Sequence, residues 1–403
     1  MTSVTRFYQP PKGSFFLFGP RGTGKSTWLK QNGGEALRID LLDRESYRLF
    51  AARPERLREL VLAQATSTCI VLDEVQKIPE LLDVVHQIME DQPRHRFILT
   101  GSSARKLKRT GVDLLAGRAA LTTMHPFMAA ELGDAFNLDV ALHTGLVPVI
   151  HSAVDRRAAQ GAYLGLYLEQ EVKAEALVRE VGDFARFLEA ISFSHASILN
   201  FTGVARECQV NRNTAQGYVE VLEDLLLAFR LPVFARRAKR HLAQHPKFYF
   251  FDAGVFRSVR PRGPLDAPEE MAGAALEGLV AQHLRAWIAY GNRPDIKLYY
   301  WRTKAGTEVD FVIYGEDTLC ALEVKNARQV HRADVRALRA FQEDYPQAQT
   351  CLLHRGHERL LIDGVLCLPC EAFLRNLRPG SVLPYHPLGA DKKKAKDREV
   401  VPD

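Results

Sequence analysis

The sequence predicts an α/β protein of several domains, and three observations lead to this prediction. The apolar run FFLF at residues 15–18 passes through a glycine-rich loop into a helical segment, which is the strand, loop and helix order of a parallel sheet. Two further apolar runs, at residues 69–74 and 97–103, are continuous rather than alternating, as strands buried on both faces are. With 403 residues, of which 46% are hydrophobic and 25% charged, the chain can form two or three domains with their own cores.

The composition limits the location and the partners that we expect. The opening residues MTSVTRFYQPPKG lack the apolar core of a signal peptide, and no run approaches the roughly 20 apolar residues of a membrane-spanning helix. We therefore expect a cytoplasmic protein with no membrane partner. Six scattered cysteines without paired metal spacing favour neither a disulfide framework nor a zinc module. The net charge of +6 permits nucleic-acid binding without requiring it.

Residues 19–26, GPRGTGKS, fit the P-loop pattern G-x-x-x-x-G-K-[ST]. Glycines let backbone N–H groups turn toward phosphates, and the helix that opens at Lys25 directs its positive end at them. We expect Lys25 to neutralise the β and γ phosphates of ATP, and the Ser26 hydroxyl to bind Mg²⁺. The predicted nucleotide-binding residues are Gly19, Pro20, Arg21, Gly22, Thr23, Gly24, Lys25, Ser26 and Thr27.

The run CIVLDE at residues 69–74 predicts a buried strand that ends in two adjacent carboxylates. Asp73 is expected to hold Mg²⁺ and Glu74 to polarise the attacking water, so hydrolysis of ATP is the expected activity. The next predicted strand ends in hydroxyls at the same sheet edge, where ligands of open α/β sheets bind. Thr100 or Ser102 would then contact the γ phosphate, although a turn-forming Thr-Gly-Ser sequence is an equal alternative.

Residues 193–262 have the pattern of a winged helix-turn-helix. Two helices with apolar residues at spacings of three and four flank a polar turn, and β-prone runs at residues 231–234 and 247–251 flank the basic segment 236–240. If this unit binds DNA, the start of its second helix faces the groove and the basic segment lies near phosphate. Acidic residues later in that helix keep a protein partner open as the alternative. The candidate DNA-binding residues are Arg212, Asn213, Thr214, Gln216, Arg236, Arg237, Lys239 and Arg240.

Near the carboxyl end, Asp310, Glu323 and Lys325 form the pattern D-x12-E-x-K across adjacent predicted strands. Glu323 and Lys325 are two residues apart on one strand and therefore share a face. The two carboxylates, with Glu277 from a preceding helix, are candidate ligands of Mg²⁺ or Mn²⁺, and Lys325 would orient or deprotonate the water that attacks a phosphodiester. The pattern resembles the core of restriction-endonuclease-like PD-(D/E)xK folds. Such domains are also retained as binding or assembly scaffolds, so cleavage itself is left open.

Several motifs resemble, in order and spacing, the AAA-type ATP-binding proteins of bacteria and archaea that carry the domain of unknown function 4143. They are the P-loop, LDEVQKIPEL, LTGSSARKL and LLAGRAA, and the resemblance extends over residues 15–375. Leu146, where this family often has a second glycine, is a departure that concerns one loop. The resemblance implies a homo-oligomer with active sites at subunit junctions and an arginine donated by a neighbour, for which Arg118 and Arg105 are the candidates.

The predicted fold is an α/β P-loop NTPase domain of AAA type, a winged helix-turn-helix and a C-terminal α/β restriction-endonuclease-like domain. The predicted function is an ATPase that acts on DNA and carries a metal-dependent nuclease-like domain. The alternative is an ATP-controlled regulatory or assembly switch, and a third reading is a nuclease that ATP only regulates. The predicted boundaries are 1–150 for the ATPase domain, 151–192 for a helical lid or connector, 193–262 for the winged helix, 263–380 for the nuclease-like domain and 381–403 for a disordered tail.

Overall fold

A computed structural model gives the fold, and the residues it describes are 4–64, 67–102, 115–163, 165, 181–236, 240, 242, 245–263 and 267–384. The chain divides into two compact units, each built from three stretches. The first unit comprises Met1–Phe127, Asp139–Leu231 and His245–Gln282. The second comprises Met128–Leu138, Pro232–Gln244 and His283–Asp403. The candidate residues Arg105, Arg237 and Lys239 lie outside the described residues.

The strands and helices are labelled in chain order. The strands are β1 (Phe15–Phe18), β2 (Leu37–Asp40), β3 (Cys69–Asp73), β4 (Arg96–Gly101), β5 (Ala120–Thr123), β6 (Ser197–Ile198), β7 (Ala228–Leu231), β8 (Lys247–Phe250), β9 (Lys297–Arg302), β10 (Glu308–Tyr314), β11 (Leu319–Lys325), β12 (Gln349–His354), β13 (Leu360–Ile362) and β14 (Val365–Pro369). The α-helices are α1 (Lys25–Asn32), α2 (Arg44–Ala52), α3 (Arg56–Leu62), α4 (Leu81–Asp91), α5 (Ala129–Leu132), α6 (Leu138–Thr144), α7 (Pro148–His151), α8 (Val181–Ser192), α9 (Phe201–Glu207), α10 (Arg212–Asp224), α11 (Ala253–Val259), α12 (Pro268–Tyr290), α13 (Arg336–Asp344) and α14 (Cys370–Asn376).

The first unit contains a parallel sheet with the strand order β2-β3-β4-β1-β5. All four residues of β1 are buried, and the apolar side chains of β1, β3, β4 and α4 form one core. The α/β domain with a parallel sheet that the sequence predicts is therefore confirmed. Because β4 lies between β1 and β3, the ends of these three strands meet at one edge of the sheet.

Two helices and a small antiparallel sheet follow in the same unit. Asn200 caps α9 by accepting from the backbone N–H of Gly203, and Asn211 caps α10 by accepting from Thr214. The buried side chains of Val204 on α9 and of Leu222 on α10 lie on the faces that the apolar spacing predicts. The sheet has the order β6-β8-β7, with both pairs antiparallel.

Of the basic segment 236–240, which the sequence places in a wing, the structure describes Arg236 and Arg240. Strand β7 ends at Leu231, and the stretch Pro232–Gln244 that follows it belongs to the second compact unit. There Phe234 is 1% exposed and packs against a group of aromatic rings of the same unit. The Arg236 guanidinium lies 4.9 Å from the centre of the Tyr314 ring. The guanidinium of Arg240 forms ion pairs with Glu343 and Asp344 at 2.7 and 2.9 Å.

The second unit is built on a mixed sheet with the strand order β13-β14-β12-β11-β10-β9. Strands β11, β12 and β14 run parallel to one another, and the other neighbours are antiparallel. Helix α13 contributes Leu338 and Phe341 to the core on one face of this sheet. Within the described part of the chain, no helix is long and apolar enough to cross a membrane.

Candidate functional site

The loop after β1 has a backbone that requires its glycines. Gly22 and Gly24 have φ angles of 77° and 93°, a region that residues with a Cβ rarely adopt. A Cβ added to Gly22 would lie 2.5 Å from the Val149 side chain, and one added to Gly19 would lie 2.5 Å from the carbonyl oxygen of Met124. The Thr23 hydroxyl donates to the carbonyl oxygen of Pro20 over 2.7 Å and so closes the loop.

Lys25 is the first residue of α1, and its ammonium group turns back into the loop. Its Nζ donates to the carbonyl oxygens of Gly19 at 2.6 Å and Pro20 at 3.3 Å. The side chain is 5% exposed. The loop thus holds a buried cation at the place where the sequence predicts phosphate binding.

Side chains from α1, β3 and β4 meet beside this loop. The Ser26 hydroxyl donates to Oδ2 of Asp73 over 2.9 Å. The Thr100 hydroxyl donates to Oδ1 of the same carboxylate, and the backbone N–H of Glu74 donates to the Thr100 oxygen over 3.1 Å. Glu74 follows β3 with a φ of 62°, so the chain turns sharply there. The structure therefore brings together four of the residues that sequence reasoning selected.

Gln76 is a part of this site that the sequence reasoning did not select. Its Nε2 donates to a carboxylate oxygen of Glu74 and, over 3.1 Å, to the Ser102 hydroxyl. A Cβ on Gly101 would lie 2.6 Å from Oε1 of Gln76, so the glycine leaves room for the amide. The signal in the sequence was its place, two positions after Glu74 within the motif LDEVQKIPEL.

A cavity of about 580 Å³ lies over the loop. Arg6 contributes to its wall and donates to the carbonyl oxygens of Thr23 at 2.8 Å and His125 at 2.6 Å. The hydroxyl and carboxylate oxygens of Ser26 and Asp73 are the hard ligands that suit Mg²⁺. The loop and this donor set fit a magnesium nucleotide. The wall includes Arg21, Gly22, Gly24, Lys25, Ser26, Thr27, Glu74, Pro148, Val149 and Ser152.

Arg118, the candidate for donation to a neighbouring subunit, lies at the surface of the same unit. Its guanidinium pairs with the Glu90 carboxylate at 2.8 Å, with the two side chains 40% and 52% exposed. An exposed pair of this kind contributes little to stability and leaves the arginine accessible.

A second group of side chains lies on β10 and β11 in the second unit. Phe311 pairs with Leu322, so Asp310 and Glu323 lie opposite each other in the continued register. The pairing of β10 with β9 shifts register between Val309 and Val312, the stretch that contains Asp310, and such irregularities redirect side chains. Asp310 and Glu323 are both buried, and Oδ2 of Asp310 accepts from the backbone N–H of Val324 over 2.9 Å.

Lys325 completes this group, as the alternation along β11 predicts. Its Nζ lies 2.6 Å from Oε1 of Glu323. Burial lowers the pKa of Lys325, but the charges of Glu323 and Asp310 outweigh it, and the net effect is a raised pKa. Lys325 is therefore a cation that can orient a phosphate or a water rather than a base in this state. The surrounding cavity of about 580 Å³ is lined also by Arg302, Glu308, Asp334 and Arg336, which the sequence reasoning did not select.

Glu277 has partners of its own in the first unit. Its Oε1 accepts from the Lys247 ammonium over 2.8 Å and from the Tyr249 hydroxyl over 2.6 Å. Lys247 is 1% exposed, so this is a buried ion pair. Asp310 and Glu323 belong to the second unit. Over the described residues, no group of three or more His, Cys, Asp or Glu side chains has the arrangement of a metal site.

The remaining candidates for DNA contact lie at the start of α10. Arg212 and Asn213 are exposed, whereas Thr214 and Gln216 are half-buried. Asn211 caps this helix by accepting from the backbone N–H of Thr214. Arg236 and Arg240 are also exposed, but their guanidinium groups contact side chains of the second unit.

Comparisons with known proteins agree with the motifs. The AAA domain matches residues 12–133, a domain of unknown function, DUF8612, matches residues 136–266, and DUF4143 matches residues 272–373. No curated protein matches the chain. Protein VC1899 from Vibrio cholerae, known from a crystal structure, has 12% identity over 85% of this chain and 96% of that chain, with a TM-score of 0.22 that supports no structural argument. The chain is an AAA-domain protein that carries the C-terminal domain of unknown function 4143.

Proposed function

We propose that the protein binds ATP with Mg²⁺ and hydrolyses it. The observation that supports this most is the contact of Ser26 and Thr100 with one carboxylate, Asp73, directly beside the glycine loop. A magnesium ligand, a second carboxylate and a phosphate-binding lysine are the parts that hydrolysis of a nucleoside triphosphate requires. The AAA domain match over residues 12–133 supports the same conclusion.

Each residue of the site has a role in this proposal. Lys25 leaves the carbonyl oxygens that it contacts and neutralises the β and γ phosphates. Ser26 and Asp73 hold Mg²⁺, which supplies charge neutralisation at the phosphate oxygens. Glu74 polarises the attacking water as a general base. Thr100 links Asp73 to the backbone of Glu74 and thereby fixes the two carboxylates relative to each other.

We further propose that the protein acts on DNA through its carboxyl-terminal domain. The juxtaposition of Asp310, Glu323 and Lys325 beside a cavity with Arg302 and Arg336 supports a site for a phosphodiester. The two carboxylates are oxygen ligands of the kind that Mg²⁺ or Mn²⁺ takes, and a bound ion would supply charge neutralisation at the phosphate. Lys325 orients the attacking water. In this proposal the contact of Glu277 with Lys247 replaces its predicted metal role.

Two further parts complete the proposal. The first is DNA contact at the start of α10, in a winged helix, and the second is assembly into a homo-oligomer. Exposed Arg212 and Asn213 support the first, and exposed Arg118 supports donation of an arginine across a subunit junction. The alternative function is an ATP-controlled assembly switch in which these surfaces bind protein and the carboxyl-terminal domain is a scaffold.

The deciding experiment measures cleavage of linear, single-stranded and branched DNA with Mg²⁺ or Mn²⁺, in the presence and absence of ATP. We expect cleavage by the wild type, its loss in Glu323→Ala, and its retention in Glu316→Gln, a control at an exposed residue of the turn between β10 and β11. ATP turnover is measured in parallel with and without duplex. No cleavage and no stimulation of turnover by DNA would favour the assembly switch, which has no reason to respond to duplex.

A further inference from the structure

Asp252, which the proposed mechanism does not use, is buried at the start of α11 and has both carboxylate oxygens occupied. Oδ1 accepts from the backbone N–H groups of Gly254 at 2.9 Å and Val255 at 3.1 Å, which caps the helix. Oδ2 accepts from the backbone N–H of Leu146 at 2.7 Å, over a separation of 106 residues. Burial raises the pKa of Asp252 to about 6, against the effect of these hydrogen bonds.

Two glycines allow the chain at residues 144–146 to lie directly on the start of α11. A Cβ on Gly254 would lie 2.3 Å from the carbonyl oxygen of Thr144. Gly145 has a φ of 73°, and a Cβ there would lie 1.9 Å from Oδ1 of Asp252. The turn at residues 144–146 and the start of α11 are therefore closely packed, and a shift of one is transmitted to the other.

The chain at Leu146 also contacts the nucleotide-binding loop by two routes. On one route, Val149 at the start of α7 donates its backbone N–H to the carbonyl oxygen of Gly22 over 3.1 Å. On the other, Leu146 accepts from the backbone N–H of Phe127 over 2.9 Å. The Arg6 guanidinium lies 4.9 Å from the centre of the Phe127 ring and donates to the carbonyl oxygen of Thr23.

We propose that Asp252 is a positioning residue of the ATP site, which couples α11 to the nucleotide-binding loop through the turn at Gly145 and Leu146. The proposal rests on the proposed function, because it assigns a role in ATP binding. The hydrogen bond from Leu146 to Asp252 holds the chain that leads to Val149 and Phe127. Val149 bonds to the carbonyl oxygen of Gly22, and Phe127 contacts Arg6, which bonds to the carbonyl oxygen of Thr23. By reciprocity, nucleotide binding stabilises the start of α11, so this segment responds to the state of the ATP site.

Asp252→Asn separates the two roles of the carboxylate. The side-chain oxygen of asparagine caps a helix as well as aspartate does, but its NH₂ group would face the N–H of Leu146, where two donors cannot bond. We expect the affinity for a non-hydrolysable ATP analogue with Mg²⁺ to fall about tenfold, and KM for ATP to rise similarly with little change in kcat. The control Asn200→Ala removes the cap of α9 at a similar cost in stability and should leave the affinity unchanged.

The second measurement uses the wild type and therefore does not depend on the folding of the variant. Adding the ATP analogue should slow hydrogen exchange of the amides at Leu146, Gly254 and Val255, and Lys25→Ala should abolish this protection. Unchanged exchange in a wild type that binds the analogue, or unchanged affinity in a folded Asp252→Asn, would overturn the coupling. A wild type that binds no analogue would instead overturn the proposed ATP site.

Discussion

At the scale of single residues, Asp73 organises the nucleotide site. Its carboxylate accepts from hydroxyls on two different elements, Ser26 on α1 and Thr100 on β4. Glu74 follows Asp73, but its side chain bonds to Gln76 instead. Adjacent carboxylates therefore have separate partners and can have separate roles. In the proposed mechanism one holds a metal ion, and the other, which accepts a hydrogen bond from Gln76, acts as the general base.

This separation leads to a prediction for Glu74→Gln. The amide cannot accept a proton from water, so we expect kcat for ATP hydrolysis to fall by about 10²- to 10⁴-fold. The affinity for ATP should change little, because Lys25 and Ser26 are intact. Turnover is measured as phosphate release, and affinity is measured by titration with a non-hydrolysable analogue.

The control for Glu74→Gln is Glu80→Gln, which changes an exposed glutamate before α4 in the same way. It should hydrolyse ATP at the rate of the wild type. Undiminished turnover in Glu74→Gln would show that another group activates the water.

His195 leads to a prediction about stability and pH. Its ring is buried, stacks on Phe256 with ring centres 4.0 Å apart, and accepts from the backbone N–H of Phe250. Burial lowers its pKa from 6.5 to about 3. Between pH 6.5 and about pH 3, His195 binds a proton in the unfolded chain but not in the folded protein. Its contribution to stability is therefore complete above pH 6.5 and is lost as the pH falls through this range. The free energy of unfolding should lose up to about 1.4 kcal/mol per pH unit from this residue.

The comparison with His195→Asn isolates this effect from other titrating groups. Asparagine can still accept from the N–H of Phe250 but takes no proton in this range. The free energy of unfolding of both proteins is measured with urea at pH 7 and pH 5. The excess of the wild type over His195→Asn should be smaller at pH 5 than at pH 7. A difference independent of pH would mean that the histidine is charged or accessible in the folded protein.

At the scale of elements, the sequence predicts those whose position follows from their own residues. Strands β1 and β3 are continuous apolar runs, and the glycine loop and carboxylates at their ends are local in sequence. The partners of Glu277 and Phe234 could not be predicted in this way. Glu277 bonds to Lys247 and Tyr249, about 30 residues away. Phe234 follows β7 but belongs to an aromatic core in the second unit, because burial of its ring outweighs local β propensity.

Helix α10 gives a prediction for DNA binding. Arg212 is exposed at its first turn, where the positive end of the helix also favours a phosphate. If Arg212 contacts one phosphate, Arg212→Ala should weaken binding of duplex DNA and reduce the slope of log K against log salt by about 1. Binding is measured by fluorescence anisotropy with labelled duplex between low and physiological salt.

The matched control for this helix is Lys30→Ala, which removes an exposed charge from α1 and lowers the net charge by the same amount. If both variants weaken binding equally, the effect is one of net charge alone. If neither does, α10 is not a DNA-contacting element and a protein partner becomes the better proposal for it.

At the scale of the whole molecule, the two compact units are interleaved along the chain. Each contains three stretches, so the chain passes from one unit to the other five times. No single cut separates the unit with the nucleotide site from the unit with Asp310 and Glu323. Dependence of one site on the other is therefore tested with point variants in the full chain rather than with isolated fragments.

Lys25→Ala is the variant that tests this dependence. If ATP binding controls the carboxyl-terminal site, metal-dependent cleavage by Lys25→Ala should equal that of the wild type without ATP, whatever the ATP concentration. The physical reason is that the loop loses the cation that stabilises the β and γ phosphates, while Asp310, Glu323 and Lys325 remain unchanged. Lys30→Ala should retain the response to ATP. If ATP stimulates cleavage by Lys25→Ala as fully as cleavage by the wild type, the stimulation does not arise at Gly19–Ser26. If ATP changes cleavage by neither the wild type nor Lys25→Ala, the two sites act independently.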